Sequence, residues 1–326
     1  MASKSLSFTI LFHGNCIDGW FSAYIAHTTL KIAGQVFMYP ISPNQPSTWP
    51  PNSKMVGTQI LLLDVSVPKD KRDAWIAAGA VSIMCIDHHA SAIEHWSTEA
   101  SCPIDTTCCA AVQTWKHFYP GWTVPSWLLH IDRIDRWDNP TYEDRCVREV
   151  LNVIAHKPVQ QKIEEAFTLS DTFIVNMCLP GGPEAIIAQG KQILEQKDIA
   201  LLQILRGGSI ISLTEDHIRI WGLPIHWLNT TIYIIDNTNI TLDSTEAAHL
   251  IFLHYPQITA FVNYRRKIIS GRGSMAIDKE MYVYSARSRG FDLTEGTSIL
   301  KGHPTAAGAS LIKGEVPVLP FVFASA

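Results

Sequence analysis

Three continuous apolar runs in the first third of the chain each end in a carboxylate or an imidazole. Residues 7–12 lead into His13-Gly14-Asn15-Cys16-Ile17-Asp18-Gly19, residues 59–63 into Asp64, and residues 81–86 into Asp87-His88-His89. Runs that stay apolar without alternating are what strands buried on both faces of a parallel sheet look like. Residues 20–30, after the first polar turn, are apolar at helical spacing, so the chain opens strand, turn, helix, as a doubly wound sheet does. Parallel strands need right-handed crossovers, which puts their C-terminal ends on one edge of the sheet. Open α/β sheets bind ligands at that edge. His13, Asp18, Asp64, Asp87 and His88 are therefore expected to converge. Carboxylates crowded there repel one another, and a divalent cation neutralises them.

A length of 326 residues suggests two domains. The formal charge of -4 leaves no basic footprint for long nucleic acid, although a few arginines and cations suffice for short nucleotide-like substrates. No apolar run approaches the ~20 residues of a membrane span, and no signal peptide is expected, since residues 1–5 lead straight into the first apolar run. Seven cysteines without paired spacing read as reduced thiols, so a cytoplasmic protein with no membrane partner is expected. Cys108-Cys109 reads as a helix start packed near the site rather than as a metal pair. Residues 35–40 read as a second strand. Residues 42–52 hold too many prolines for helix or central strand and read as a surface connector or a lid. Helices are expected over 69–78, ending at Gly79, and over 107–118, with further helical segments to about 173. Pro180-Gly181-Gly182-Pro183 is the strongest punctuation, followed by a long helix over 184–205. Strands around Ile210, 232–235, 259–263 and 282–285, with a helix over 244–253, then give a mixed α/β region. The expected division is 1–180, a connector over 181–207, and 208–326.

Three further segments accompany the three strand ends. His130-Ile131-Asp132-Arg133-Ile134-Asp135-Arg136-Trp137-Asp138 follows them. Near the C-terminus stand Val283-Tyr284-Ser285-Ala286-Arg287-Ser288 and Gly302-His303-Pro304-Thr305-Ala306-Ala307-Gly308. In this order the motifs resemble those of the DHH phosphoesterase superfamily, with similarity to its oligoribonuclease and cyclic-nucleotide phosphodiesterase members. The resemblance implies a parallel-sheet, Rossmann-like DHH domain followed by a smaller mixed α/β DHH-associated domain that closes over the substrate. It also implies two divalent cations, Mn2+ first, with Mg2+, Co2+ or Zn2+ as alternatives. In that family pattern Asp64 bridges the ions, Asp18 and His88 hold one, and His13 holds the other. Asp87 orients His88, and His89 hydrogen-bonds the substrate phosphate, which makes Asp64, His88 and His89 the catalytic set. In the fourth motif Asp135 is preferred to Asp132 and Asp138. Arg287, Gly302, His303 and Gly308 fall on the substrate side. Tyr264-Arg265-Arg266-Lys267 either adds phosphate affinity or is a solvated turn.

One position departs from the common form of the first motif: Cys16 stands where a carboxylate is usual. A thiolate is soft and favours zinc or iron over manganese. Cys16 therefore ligates, packs, or leaves one ion loosely held. The expected activity is hydrolysis of short nucleotide phosphodiesters (nano-RNA, linear or cyclic dinucleotides) by metal-activated water. The alternatives are a phosphomonoesterase or polyphosphate hydrolase, and a non-catalytic nucleotide sensor; the reading admits a homodimer.

Overall fold

The structure is a computed structural model that describes residues 6–43, 45–89, 92–93, 96, 104–136, 138, 140–158, 162–221, 225–236, 238, 242, 244–269, 279–290, 293, 301–303 and 306–312. The chain divides into two compact units, Met1–Glu195 and Gln196–Ala326.

In the first unit, β1 (Leu6–His13), β2 (Gly34–Ile41), β3 (Gln59–Leu63) and β4 (Ser82–Ile86) form a parallel sheet ordered β2-β1-β3-β4. Strand order switches between β1 and β3, so the crevice at their C-terminal ends is a topological switch point. Alternate residues of each strand feed opposite faces. Phe8, Ile10 and Phe12 of β1, with Leu61 and Leu63 of β3, join Trp20, Phe21, Trp127, Leu151 and Phe173 in one core. Leu11, Ile60, Leu62 and Cys85 join Met55, Trp75 and Trp96 in the other. Two apolar faces are the reason that these runs do not alternate.

The helices of this unit that lie wholly within the described residues are α1 (Ile17–Leu30), α2 (Lys69–Ala77), α3 (Ala110–Phe118), α4 (Ser126–Asp135), α5 (Tyr142–Ala155), α6 (Ile163–Cys178) and α7 (Gly182–Leu205), the last crossing the division between the units. The proline-rich stretch is a pinned connector rather than a lid. Trp49 Nε1 donates to the Ser42 carbonyl at 2.8 Å, Lys71 Nζ reaches Asn52 Oδ1 at 3.0 Å, and Met55 is fully buried.

Helix α1 begins so close to β1 that only glycine fits at its third residue. A Cβ on Gly19 would lie 2.4 Å from the His13 carbonyl oxygen. Gly19→Ala is therefore expected to destabilise the unit by roughly 1–3 kcal/mol, as overpacking does. Thermal denaturation checks this, and an unchanged melting temperature would refute the close approach.

In the second unit β5 (Ser209–Ser212), β6 (Thr231–Asp236), β7 (Ala260–Ile269), β8 (Lys279–Ser288), β9 (Lys301–His303) and β10 (Ala306–Ile312) form a sheet ordered β5-β6-β7-β8-β10-β9. Only β6 and β7 pair in parallel. Helix α8 (Glu215–Trp221) follows β5, and α9 (Ser244–His254) buries Ala247, Leu250 and Ile251 against Tyr233, Ile235 and Phe261. The fold class is thus a Rossmann-like parallel sheet followed by a smaller mixed α/β unit, as expected. Tyr264–Lys267 is not a turn: it lies inside β7, which pairs with β8 over its whole length. Tyr264 is buried, its ring 6.0 Å from that of Tyr284, and this apolar anchor carries the strand through its charged residues. No described helix is long and apolar enough to cross a membrane, and the described cysteines form no disulfide.

Candidate metal centre

The C-terminal ends of β1, β3 and β4 deliver His13, Asp64 and Asp87-His88-His89 to the switch-point crevice. Asp64 adopts a left-handed backbone conformation, φ 57°, which aspartate tolerates better than most residues. Its amide still donates to the Ile86 carbonyl at 3.0 Å, so the strand kinks without leaving the sheet. Its carboxylate is almost completely buried, and its two oxygens face different partners. Oδ2 lies 3.3 Å from His13 Nδ1, whereas Oδ1 lies 3.4 Å from His88 Nε2 and 3.7 Å from His89 Nδ1.

Around this carboxylate the donors fall into overlapping groups. Ligand atoms of His13, Cys16 and Asp64 lie within 4.8 Å of one another, as do those of Asp18, His88 and Asp135, and those of Asp64, Asp87, His88 and His89. His88 Nε2 is 3.2 Å from Asp135 Oδ2 and 3.7 Å from Asp18 Oδ2. Asp132 and Asp138 face elsewhere. Asp132 accepts the Cys109 amide at 2.7 Å and both Nε and Nη2 of Arg136 at 3.0 Å, and Asp138 sits beside Arg136 at the exposed rim. Asp135 is therefore the fourth-motif carboxylate that the fold brings to the cluster. Trp137 lies outside the described residues.

The partner expected for Asp87 needs correction. Its Oδ1 accepts the backbone amides of His88 and His89 at 2.7 and 3.1 Å and contacts His89 Nδ1 at 2.8 Å. A carboxylate at a strand end folds back over the next two amides, which places the His89 ring beside it. The His88 ring turns instead toward Asp64 and Asp135. Asp87 orients His89, not His88.

Asp18 has an unexpected support. Its two oxygens accept the Ala110 and Ala111 amides at 2.8 and 2.6 Å, so the N-terminus of α3 holds it. Helix starts bind anions in this way. Gln113, on the same helix, was also missed: its Nε2 donates to the carbonyls of Asp105 (2.7 Å), Cys108 (2.9 Å) and Asp87 (3.3 Å). The absence of Ser, Thr, Asn or Asp at Cys109, the N-cap of α3, was the signal that an outside acceptor was needed.

The buried carboxylates and imidazoles of the cluster shift one another's titration strongly. Burial, then the charges of Asp64 and Asp135, push the Asp18 carboxyl well up. Burial and Asp64 raise Asp135 to about 6 despite the neighbouring imidazoles. Burial would also raise Asp64, but His13 and His88 outweigh it and hold the group below the usual carboxylate range. The Asp87 carboxylate raises His89 to about 9. His88 is raised by Asp64 and Asp135 against the opposing effect of burial. Burial, then Asp64, Asp135 and Asp18, push the Cys16 thiol well up. Both Asp64 oxygens, Asp135 Oδ2 and His88 Nε2 are buried without a hydrogen bond. Such groups are costly unless charge or coordination satisfies them, and this donor set fits divalent cations.

In the second unit, Arg287 Nη1 donates to the Ala286 carbonyl at 2.8 Å and to Ser285 Oγ at 3.2 Å. Strand register pairs both Arg287 and His303 with Ala306, Gly308 with Ser285, and Gly302 with Ala307. Arg287 and His303 thus share one cross-strand row. Pro304 and Thr305 lie outside the described residues.

No family model and no curated protein matches the chain. Among solved structures, an uncharacterized protein from Helicobacter pylori is 13% identical with a TM-score of 0.44, over 97% of this chain and 96% of that one. RecJ from Thermus thermophilus, solved in complex with Mn2+, is 11% identical with a TM-score of 0.45, over 94% of this chain; the chain spans 50% of RecJ's length. CDC45 from Entamoeba histolytica is 9% identical with a TM-score of 0.41, over 94% of this chain and 92% of that one.

Proposed function

We propose that the protein is a metal-dependent phosphodiesterase of the DHH type that hydrolyses short nucleotide substrates, linear or cyclic dinucleotides and oligoribonucleotides of a few residues. The observation that carries this reading is Asp64, a buried carboxylate whose two oxygens make no hydrogen bond and face two separate donor groups. His13, Cys16 and Asp64 would hold one cation, and Asp64, Asp18, His88 and Asp135 the other, with Mn2+ the ion proposed for the carboxylate-rich group. Two bound divalent cations supply charge neutralisation and a hydroxide near neutral pH. The chain's own residues do the rest. His89 has Nδ1 committed to Asp87 and a side chain 42% exposed, which leaves Nε2 as a donor for a phosphate oxygen. The Asp87 carboxylate favours the imidazolium form of His89, in which Nε2 carries a proton. Asp87 fixes that ring, and α3 fixes Asp18. Arg287 and His303 are proposed to bind substrate oxyanions, with Gly302 and Gly308 keeping the adjoining backbone open.

Hydrolysis by metal-stripped protein, with Mn2+, Mg2+, Co2+ or Zn2+ added back, tests this on a linear dinucleotide, a five-residue RNA, a cyclic dinucleotide, a nucleotide bisphosphate and polyphosphate. Turnover of the diesters supports the proposal. Turnover confined to the monoester or polyphosphate moves the substrate class, and nucleotide binding without turnover makes the chain a sensor. Arg287→Ala is expected to lower kcat/KM roughly ten- to a hundredfold, the value of a charged hydrogen bond at about 1.5–3 kcal/mol. A change under twofold would return Arg287 to a purely structural role.

A further inference from the structure

We propose that the two halves of the centre take different cations: the His13–Cys16–Asp64 half is a zinc site, and the Asp18–His88–Asp135 half takes a harder ion. This rests on the dinuclear reading above. Among the described residues, Cys16 is the only sulfur in the grouped donors. It is not packed as the other cysteines near the site are: Cys108 and Cys109 belong to the hydrophobic core, and Cys16 does not. Cys16 occupies the N-cap of α1 with no side-chain cap hydrogen bond, a position that Ser, Asn or Asp fills far better than a thiol. What its sulfur does approach is His13 and Asp64, with all three ligand atoms within 4.8 Å of one another.

The second, independent observation is Asp64 Oδ2. It is buried, makes no hydrogen bond, and is the oxygen that faces His13. One nitrogen, one sulfur and one oxygen from the protein form a donor set suited to zinc. Thiolate disfavours manganese and magnesium, whereas two carboxylates and an imidazole with Asp64 Oδ1 suit them. Because the two oxygens of one carboxylate face the two groups, the sites can share Asp64 and still differ in preference.

Cobalt(II) occupies zinc sites and reports a thiolate ligand through an intense near-ultraviolet charge-transfer band. The metal-stripped full chain is titrated with Co2+, and bound ions are counted by elemental mass spectrometry. The expected result is two bound cobalt ions and one charge-transfer band, which stoichiometric Zn2+ abolishes and excess Mn2+ does not. Cys16→Ser should lose the band while Cys109→Ser keeps it. Zinc affinity in Cys16→Ser should fall by more than the roughly ten- to hundredfold that losing an outer hydrogen-bond partner costs. Cys16→Asp should bind two ions without the band and favour Mn2+ at both. Two bound ions without a band in the wild type, or a band that survives Cys16→Ser, overturns the zinc assignment and leaves the dinuclear reading standing. Failure to bind any ion overturns both.

Discussion

Asp64→Asn is expected to reduce metal-dependent hydrolysis by roughly three orders of magnitude or more, ~4 kcal/mol of barrier, with little change in the fold. Asparagine is nearly isosteric with aspartate and also tolerates the left-handed backbone at this position, so the strand end keeps its shape. The loss is electrostatic. A neutral amide has one oxygen where the carboxylate has two, and that oxygen cannot serve both the His13 side and the His88 side at once. Bound-metal stoichiometry should fall below two together with kcat. Activity within tenfold of the wild type, at matched metal loading, would remove Asp64 from its bridging role.

The largest expected change in stability lies away from the metal centre. Asp144 is fully buried at the start of α5 and collects an unusually complete set of donors. Arg133 Nε and Nη2 reach it at 2.9 and 2.7 Å, His130 Nδ1 contacts it at 2.5 Å, and the Thr141 amide and hydroxyl donate at 2.8 and 2.9 Å. Thr141 in turn accepts the Asp144 amide, which closes a capping box. Asp144→Ala strands a cation and an imidazole and opens the helix start. Breaking a buried pair costs about 3–5 kcal/mol; the Arg133 side chain is 36% exposed and can rehydrate, which places the expected loss near the lower figure. Denaturant unfolding measures it, and a loss under about 1 kcal/mol would contradict the network.

The same network has a pH signature. Burial would raise the Asp144 carboxyl, but Arg133, Thr141 and His130 outweigh it and hold it well below the usual range. A depressed carboxyl contributes stability that is present above its unfolded value, near pH 4, and is lost as pH falls below it. Asp144→Asn should therefore flatten the acid limb of the stability profile.

The sequence made the strand ends legible because burial on two faces leaves a simple mark, an apolar run that stops at a charged residue. His13, Asp64 and the Asp87-His88-His89 run could be placed together from that mark and from crossover handedness alone. What joins these residues was harder to read. Asp18 and the α3 amides are far apart in sequence, and backbone donors leave no trace in residue type. Asp87 was assigned to the wrong histidine because adjacent positions cannot reveal which ring turns back. In the second unit the charged stretch after Tyr264 resembled a turn, since the buried tyrosine pair that sustains the strand spans two distant segments. His130, read only as part of the fourth motif, proves to belong to the Asp144 network.

The start of α3 has a consequence for how this site can drift. Two of the groups that hold Asp18, and one of those that hold Asp132, are main-chain amides carried by Ala110, Ala111 and Cys109, and the Cys109 thiol adds a contact of its own to Asp18. Side-chain changes at the two alanines are screened only for size, so substitution can accumulate there while the carboxylates stay in place. An alanine scan would pass over Ala110 and Ala111 altogether, although a proline at either would delete a donor that no side chain can replace. The inheritance of this centre thus depends partly on letters that carry no chemistry of their own.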